Sequence, residues 1–490
     1  MNLQNGDRAS GVLGSLAGRR LLFLNWRDPA HPSAGGAELY CWEIARRFAA
    51  AGARVTVVAS RPRGLPARAQ VDGVSVVRAG GRFSVYVRAA RYLRAHRDPR
   101  SGPDAVIDMQ NGIPFFAPLS VSPNTPVIGV IHHVHQQQFS QHFAWPMSSV
   151  GRLLEGPVSR VVYRSSPIVV VSPSTRDAVR RELGLRGPVH IVPNGVDPAA
   201  RSAARATTPR IAVVTRLVAH KRIGLLIEAI PALLKAFPSL EVDIAGDGPD
   251  RPRLEALAAT LGVDGVVHFH GWVPDEERTR LLSRAWLTVN PSSGEGWGLS
   301  VLESNGLGVP AVVYEVPGSR DSVLPEVTGW LVRDGDPLFA KLHTALRDLA
   351  NPPIAETFAD RCRAWAHQFS WDWTAARMAA VVLAELDGAQ TRRAGERRRA
   401  QIDSASVAQF DVSHRTMLAD PGMSLRRTDL VRVDGDRATV LLYGADEHDS
   451  LIALQRLQVR GPVDLRLARG IDELTGGAEQ AVAPAPRQAS

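Results

Sequence analysis

The sequence predicts an α/β chain: two doubly wound domains facing one another across a cleft, followed by a small α+β appendage. Three observations carry that expectation. Short, almost continuously apolar runs alternate with helical patterns, as in parallel sheets covered on both faces. The rhythm stops at a small, polar, proline-closed stretch, RSAARATTPR (201–210), and restarts at once. Beyond the arginine run TRRAGERRRA (391–400) it gives way to two strand patterns joined by a tight turn.

In order, RLLFLNW (20–26) opens the first sheet, and AELYCWEIARRFAAAG (37–52) follows as a helix that Gly52 ends. RVTVVAS (54–60), AVIDMQNG (105–112), PVIGVIHH (126–133), PIVVVSPS (167–174) and VHIVPNG (189–195) are strands running into loops. The second sheet takes IAVVTRL (211–217), LEVDIAGDGP (240–249), VVHFHGW (266–272), WLTVNPSS (286–293) and PAVVYEVPG (310–318), with helices near Gly224–Phe237 and from about Pro252. A helix-rich segment, about 337–388, ends in a helix (371–388) expected to pack back on the first domain. DLVRVDGDRATVLLYG (429–444) reads as a hairpin turned at Asp434-Gly435-Asp436, before a helix near 447–458 and a strand VDLRLAR (463–469). The implied boundaries are a disordered tail 1–18, domains 19–200 and 201–370, the helix 371–388, a basic linker 389–410, a module 411–475 and a disordered tail 476–490. Domains of this type take ligands above the carboxyl ends of their strands.

With 490 residues and 44% hydrophobic content, the chain is long enough for about three domains. Cys41 and Cys362 lie far apart without a CxxC pattern, which fits reduced thiols better than a disulfide framework or a zinc site. The start lacks the apolar core of a signal peptide, and no stretch reaches about eighteen apolar residues. The expected location is the cytoplasm, with the inner face of the plasma membrane as one working place.

The net charge of +9 comes partly from Arg392, Arg393, Arg397, Arg398 and Arg399 around Glu396. Such a run reads as a solvated linker, or as a contact for anionic lipid or nucleic acid. No nucleic-acid-binding motif accompanies it, so nucleic acid is not an expected partner. SVYVRAARYLRAHRDPR (84–100) spaces Arg88, Arg91, Arg94, Arg97 and Arg100 three apart on an expected helix. This is a solvated basic face, or one that docks on an anionic membrane or recognises a phosphorylated or lipid-linked acceptor.

The stretch PSSGEGWGLSVLESNGLGVP (291–310) carries the densest chemistry. Gly294, Gly296 and Gly298 strip side chains from a strand-to-helix bend. The N–H groups of Gly298, Leu299 and Ser300 then stand at a helix N-terminus, where the dipole favours phosphate. The plainer reading is a tight turn with glycines for geometry alone, which leaves Glu295 unexplained. Glu295 and Glu303 lie eight apart. Eight helical residues rise about 12 Å and rotate by about 80°, whereas paired hydrolytic carboxylates stand about 5 to 9.5 Å apart. The two suit separate parts of one elongated ligand better than a hydrolytic pair.

VVTRLVAHKR (213–222) puts Arg216 and Lys221 past a strand end of the same sheet. Two cations there neutralise a diphosphate, arginine as a fork and lysine as a point charge; the alternative is two surface cations on a loop. HPSAGGAELY (31–40) sets Gly35 and Gly36 between a strand and a helix, a second bare-backbone anion site, though not the GxGxxG of a nicotinamide fingerprint. GVIHHVHQQQFSQH (129–142) holds His132, His133, His135 and His142 with no acidic or cysteine partner. A strand-end histidine donating to a sugar hydroxyl fits better than a metal cluster. His132, first after the apolar run, is the candidate, and His133 reads as packed or solvated.

Taken together, these pieces resemble a known family. The chain looks like a retaining, nucleotide-sugar-dependent glycosyltransferase of the two-Rossmann architecture called GT-B, in glycosyltransferase family four. The resemblance covers about residues 20–386 and rests on GGAE (35–38), His132, VPNGVD (192–197), TRLVAHK (215–221), GDGP (246–249), HGWV (270–273) and EGWGLSVLE (295–303). It implies that Glu295 lies against the donor sugar and Glu303 binds the nucleotide ribose. By the same resemblance, Arg216 and Lys221 hold the diphosphate, Trp272 and Val273 lie near the base, and Gly35 and Gly36 offer N–H groups near the donor phosphate and acceptor. It further implies a hexose moved from a nucleotide sugar to a glycan or lipid-linked acceptor of the cell envelope. Neither a metal nor any other cofactor is expected, which agrees with the lack of a DxD-type element by the site.

The chain departs from the pattern at Asn305, where alanine is common, and in the appendage after about residue 400. Two other classes remain: a non-hydrolysing sugar-nucleotide epimerase of the same fold, and a catalytically silent sugar-nucleotide-binding subunit. The epimerase needs an acid–base pair around the sugar that no motif supplies, and intact Arg216, Lys221 and Glu295 speak against silence.

Overall fold

The computed structural model describes residues 10–32, 34–136, 139, 145–197, 202–393, 405–411, 430–434, 437–443, 454 and 463–468. The chain forms two compact units, Met1–Arg393 and Ala394–Ser490.

In the first unit the leading sheet comprises β1 (Arg20–Leu24), β2 (Arg54–Ala59), β3 (Arg68–Val71), β4 (Val74–Arg78), β5 (Ala105–Gln110), β6 (Val127–Ile131), β7 (Ile168–Val170) and β8 (Val189–Ile191). Its order is β3-β4-β2-β1-β5-β6-β7-β8, parallel except for the β3–β4 hairpin. Six more parallel strands, β9 (Arg210–Val214), β10 (Glu241–Ala245), β11 (Val267–Gly271), β12 (Leu287–Asn290), β13 (Ala311–Tyr314) and β14 (Gly329–Val332), form a second sheet in the order β11-β10-β9-β12-β13-β14. The order reverses between β1 and β5 and again between β9 and β12. Crevices for ligands open at such switch points, and the loops after β1, β9 and β12 carry most of the predicted site residues.

The helices that matter here are α1 (Gly36–Ala50), α2 (Ser84–Ala95), α3 (Pro173–Ala178), α4 (Asp275–Arg284), α5 (Leu299–Gly306), α6 (Pro352–Ala366) and α7 (Trp371–Arg393). The expected basic helix over 84–100 stops at Ala95, so Arg97 and Arg100 lie beyond it. Pro99 explains part of this, because it disfavours helical backbone at Asp98. The β3–β4 hairpin went unread because its first strand, RAQV, is polar and short; its Asp72-Gly73 turn, with φ of 50° and 78°, was the available signal.

One core joins the first sheet, α1 and α7 with Trp297, Leu302, Trp365 and Phe369 from the second lobe. The α7 helix lies on α1: Trp371 meets Tyr40 with ring centroids 6.3 Å apart, and Arg47 Nε donates to Asp372 at 2.6 Å. Gly195 has no alternative, since a Cβ there would stand 2.5 Å from the Trp371 backbone. The second sheet has its own core, in which buried Trp330 stacks on Phe358 at 4.6 Å. Full burial of side chains this large contributes about 1.5–3 kcal/mol each. Asn305 is buried at the end of α5, where its amide donates to the Val309 carbonyl at 2.9 Å and reaches Cys362 Sγ at 3.6 Å.

The second unit is an antiparallel sheet of β15 (Ala405–Asp411), β16 (Leu430–Asp434), β17 (Arg437–Tyr443) and β18 (Val463–Ala468), in the order β16-β17-β15-β18. Its predicted hairpin and last strand are present, and β15 falls where the sequence reading extended the linker and began the module. Ala408, Ala438, Val440 and Leu442 are buried on it. The arginines at 397–399, the tails 1–9 and 476–490, and the predicted helix near 447–458 apart from Leu454 lie outside the described residues. Among the described residues no helix is long and apolar enough to cross a membrane.

Candidate active site

The loop after β9 and the loop after β12 are stitched together by backbone chemistry. After β9 the chain makes a single 3-10 turn, Ala219–Lys221. Arg222 follows in the left-handed region, φ 50°, and its guanidinium donates to the carbonyls of Pro291 and Ser292, both at 2.8 Å. Ser293 N–H donates to the His220 carbonyl at 2.9 Å.

This stitching sets Lys221 Nζ 2.5 Å from Glu295 Oε1, which also accepts from Ser292 Oγ at 2.7 Å and Asn290 Nδ2 at 3.2 Å. Burial pushes the Glu295 carboxyl up, but the Lys221 charge and these three donors outweigh it and hold it below the usual range. Glu295 N–H donates to the Pro317 carbonyl at 3.0 Å. Gly318, φ 80°, approaches so closely that a Cβ would lie 2.0 Å from Glu295 O. Sequence reading missed Asn290, Ser292 and Arg222; for Asn290 and Ser292, polar residues at the end of an apolar strand were the signal.

The bend itself is anchored by Trp297, 4% exposed, whose ring packs on Phe369 at 5.2 Å. Gly298 caps α5 with φ 78°, and a Cβ there would meet Ser322 Oγ at 2.7 Å. Leu299 and Ser300 begin the helix, and their N–H groups have no acceptor among the described residues. Glu303, half-buried on α5, stands 3.8 Å from an Arg278 nitrogen of α4. Burial raises its carboxyl above the usual range against the opposing Arg278 charge. Trp272 is 79% exposed just past β11, with Val273 half-buried beside it.

On the first lobe, Gly35 N–H is taken by Glu38 Oε2 at 2.8 Å, so of the two glycines Gly36, the first residue of α1, is the one whose N–H stays uncommitted among the described bonds. His132 follows β6, edge-on to Tyr40 at 4.7 Å, and its Nε2 is buried with no partner among the described residues. Burial, then His135, lowers it to about 3. His133 feels the charged pair: burial first, then His135, lower it to about 4, with Glu295 opposing and His220 and Lys221 adding to the fall. His135 N–H donates to buried Glu155 at 2.7 Å, and His142 lies outside the described residues. Among the described residues, no three His, Cys, Asp or Glu side chains are placed to hold a metal.

The two lobes touch at this point. Ser174 N–H donates to Asp321 Oδ2 at 3.3 Å and Arg320 Nε donates to Ser174 Oγ at 3.1 Å, while within the first lobe Thr175 Oγ1 donates to the His132 carbonyl at 3.3 Å. Arg216 is exposed past β9, close enough for its charge to act on Arg27 of the first lobe. The structure thus brings Lys221, Glu295, the α5 amides and the His132–His133 strand end together. Glu303 and Trp272 lie on neighbouring elements of the second lobe.

Comparison with known proteins gives a consistent result. Residues 34–200 match the family model described as Glycosyltransferase Family 4, and residues 199–357 match Glycosyl transferases group 1. The chain is 26% identical over 405 residues to a glycogen synthase of Mycobacterium tuberculosis, covering 75% of this chain and 95% of the relative. It is 31% identical over 262 residues to a GDP-mannose-dependent alpha-(1-6)-phosphatidylinositol monomannoside mannosyltransferase of Mycolicibacterium smegmatis, covering 49% of this chain and 66% of the relative. The solved sucrose-phosphate synthase of Thermosynechococcus elongatus matches in fold, with a TM-score of 0.61 at 19% identity over 77% of this chain and 100% of that one.

Proposed function

Because the chain belongs to glycosyltransferase family four, its two matching models meeting end to end over residues 34–357, we propose that it moves a hexose from a nucleoside-diphosphate sugar to a cell-envelope glycan or glycolipid, with retention and without a metal. It is a GT-B glycosyltransferase that uses a nucleotide sugar. One observation supports the donor chemistry: Lys221 and Glu295 are paired at 2.5 Å in the bend that leads into α5 and its uncommitted amides.

The leaving group is a nucleoside diphosphate, so negative charge grows on its phosphates in the transition state. Arg216 offers a fork, Lys221 a point charge, and Leu299 and Ser300 their N–H groups at the positive end of a helix dipole. Incoming phosphate competes with Glu295 for Lys221. Glu295, kept ionised, is then free to accept from sugar hydroxyls. His132, neutral at pH 7, is able to donate one hydrogen bond to a hydroxyl without adding charge. Glu303 accepts from the ribose, Trp272 and Val273 lie against the base, and Gly36 offers its N–H to the phosphate from the first lobe. Retention follows if the acceptor oxygen attacks from the face the diphosphate leaves.

Incubation with UDP-, GDP- and ADP-hexoses in the presence of a chelator, with release of nucleoside diphosphate as the readout, tests the reading. Slow release that an acceptor accelerates supports it. A free 2-epimer would identify an epimerase, binding without release a silent subunit, and release only with added divalent ion would overturn the metal-free mechanism.

A further inference from the structure

Resting on the donor reading above, we propose that Glu155 is a positioning residue for sugar transfer: it pins the loop after β6 and so fixes where His132 stands. Helix Met147–Leu153 runs into a π-helical turn, Leu154–Val158, of the kind that concentrates at functional sites. Pro157 supplies no N–H to the Arg152 carbonyl five residues back, and that carbonyl accepts from Gln136 Nε2 at 3.2 Å. The turn carries Glu155, which is fully buried. A few residues on, buried Tyr163 donates its hydroxyl to buried Asp108 of β5, which roots the stretch on the first sheet. From this fixed base the Glu155 carboxylate reaches the loop after β6. Its Oε1 accepts from His135 N–H at 2.7 Å and its Oε2 from Gln136 Nε2 at 2.8 Å.

A buried carboxylate is costly unless its oxygens are hydrogen-bonded. Among the described residues no Lys or Arg pairs with Glu155; His135 Nδ1 stands 3.4 Å from its Oε1, and both oxygens are spent on one short loop. That loop leads into the site. The His135 ring lies edge-on to His133 at 5.3 Å, and His133 Cε1 is what a Cβ on Gly294, in the bend before Glu295, would meet at 3.9 Å. On its other side the loop is held by Thr175, whose Oγ1 donates to the His132 carbonyl at 3.3 Å. His132 thus sits between two anchors, Thr175 at its own carbonyl and Glu155 at His135. A reacting group displaced by about 1 Å loses up to about a hundredfold in rate, so Glu155 bears on turnover through His132 without touching substrate.

The test is the release of nucleoside diphosphate from the nucleotide sugar that the full chain uses, measured on Glu155→Ala, Gln136→Ala, His132→Ala and the pairs that combine each of the first two with the third. Glu155→Ala should lower kcat about ten- to a hundredfold while KM for the donor and the affinity for free nucleoside diphosphate hold. Placed on His132→Ala it should cost nothing further, because residues that act as one unit are not additive. Gln136 is half-buried, so Gln136→Ala cuts one of the two bonds and lowers kcat in the same sense even if Glu155→Ala does not fold. Wild-type kcat in either variant, losses that multiply with His132→Ala, or a donor KM that rises in step overturns the proposal. A wild-type chain that neither binds nor releases nucleoside diphosphate sinks the donor reading and this proposal together, which the other outcomes do not.

Discussion

Gly296 of the second lobe lies so close to His132 of the first that a Cβ on it would stand 2.8 Å from the His132 carbonyl oxygen. This contact brings the glycine bend onto the strand end that carries the predicted donor histidine. Gly296→Ala should therefore prise the lobes apart at the site, lowering turnover about tenfold or more while the melting temperature moves little. Steady-state kinetics beside thermal unfolding will decide it, and wild-type turnover in the variant would show that the contact has no catalytic weight.

Lys221→Ala removes the cation next to Glu295. Losing one preorganised charge of this kind costs about 3–4 kcal/mol of barrier, or a hundred- to a thousandfold in turnover. Circular dichroism should stay native. Full activity in this variant would end its diphosphate role.

Glu303→Ala should weaken free nucleoside diphosphate by about tenfold, the value of a lost hydrogen bond to a charged group. Calorimetry measures this without an acceptor. Equal affinity would remove Glu303 from the ribose site.

Stability should fall with acid in two steps. His132 and His133 sit at about 3 and about 4 in the folded chain, below the ordinary value near 6.5. The unfolded chain therefore binds more protons once the pH drops below about 6.5, and stability declines from there toward pH 4. Glu295 has a lowered folded value, so its contribution is complete above about pH 4.5 and is lost as the pH falls through the folded value. Melting temperatures from pH 8 to 4 should show the first decline, and His133→Gln should flatten it; an unaltered slope would mean that His133 is freely solvated.

Asp321 accepts from Ser174 N–H across the cleft and from Gly318 N–H at 3.1 Å within its own loop. Asp321→Ala cuts both and loosens the loop that holds Glu295 N–H. The expected result is a lower kcat with little change in nucleoside diphosphate affinity, and a larger radius of gyration in solution scattering. A compact variant with unchanged kcat would refute the link.

Most of the scaffold was legible because buried parallel strands are apolar throughout and end in glycine, proline or polar residues. VVT before Arg216 and VNPSS before Glu295 mark strand ends, and with them the loops of the site. The polar strand β3 and the strand β15 beside an arginine-rich stretch were not, since neither offers a run of apolar residues against a polar background.

The sequence by itself determined the architecture, the bare backbone of the EGWG bend and the family membership, all local patterns of side-chain size and polarity. Only the tertiary structure decided which charges neutralise one another. That Lys221 pairs with Glu295, that Arg222 donates to the Pro291 and Ser292 carbonyls, and that Arg78 pairs with Asp28 depend on loops from distant strands converging. Electrostatic energy depends on separation in space, and spacing along a chain does not encode it.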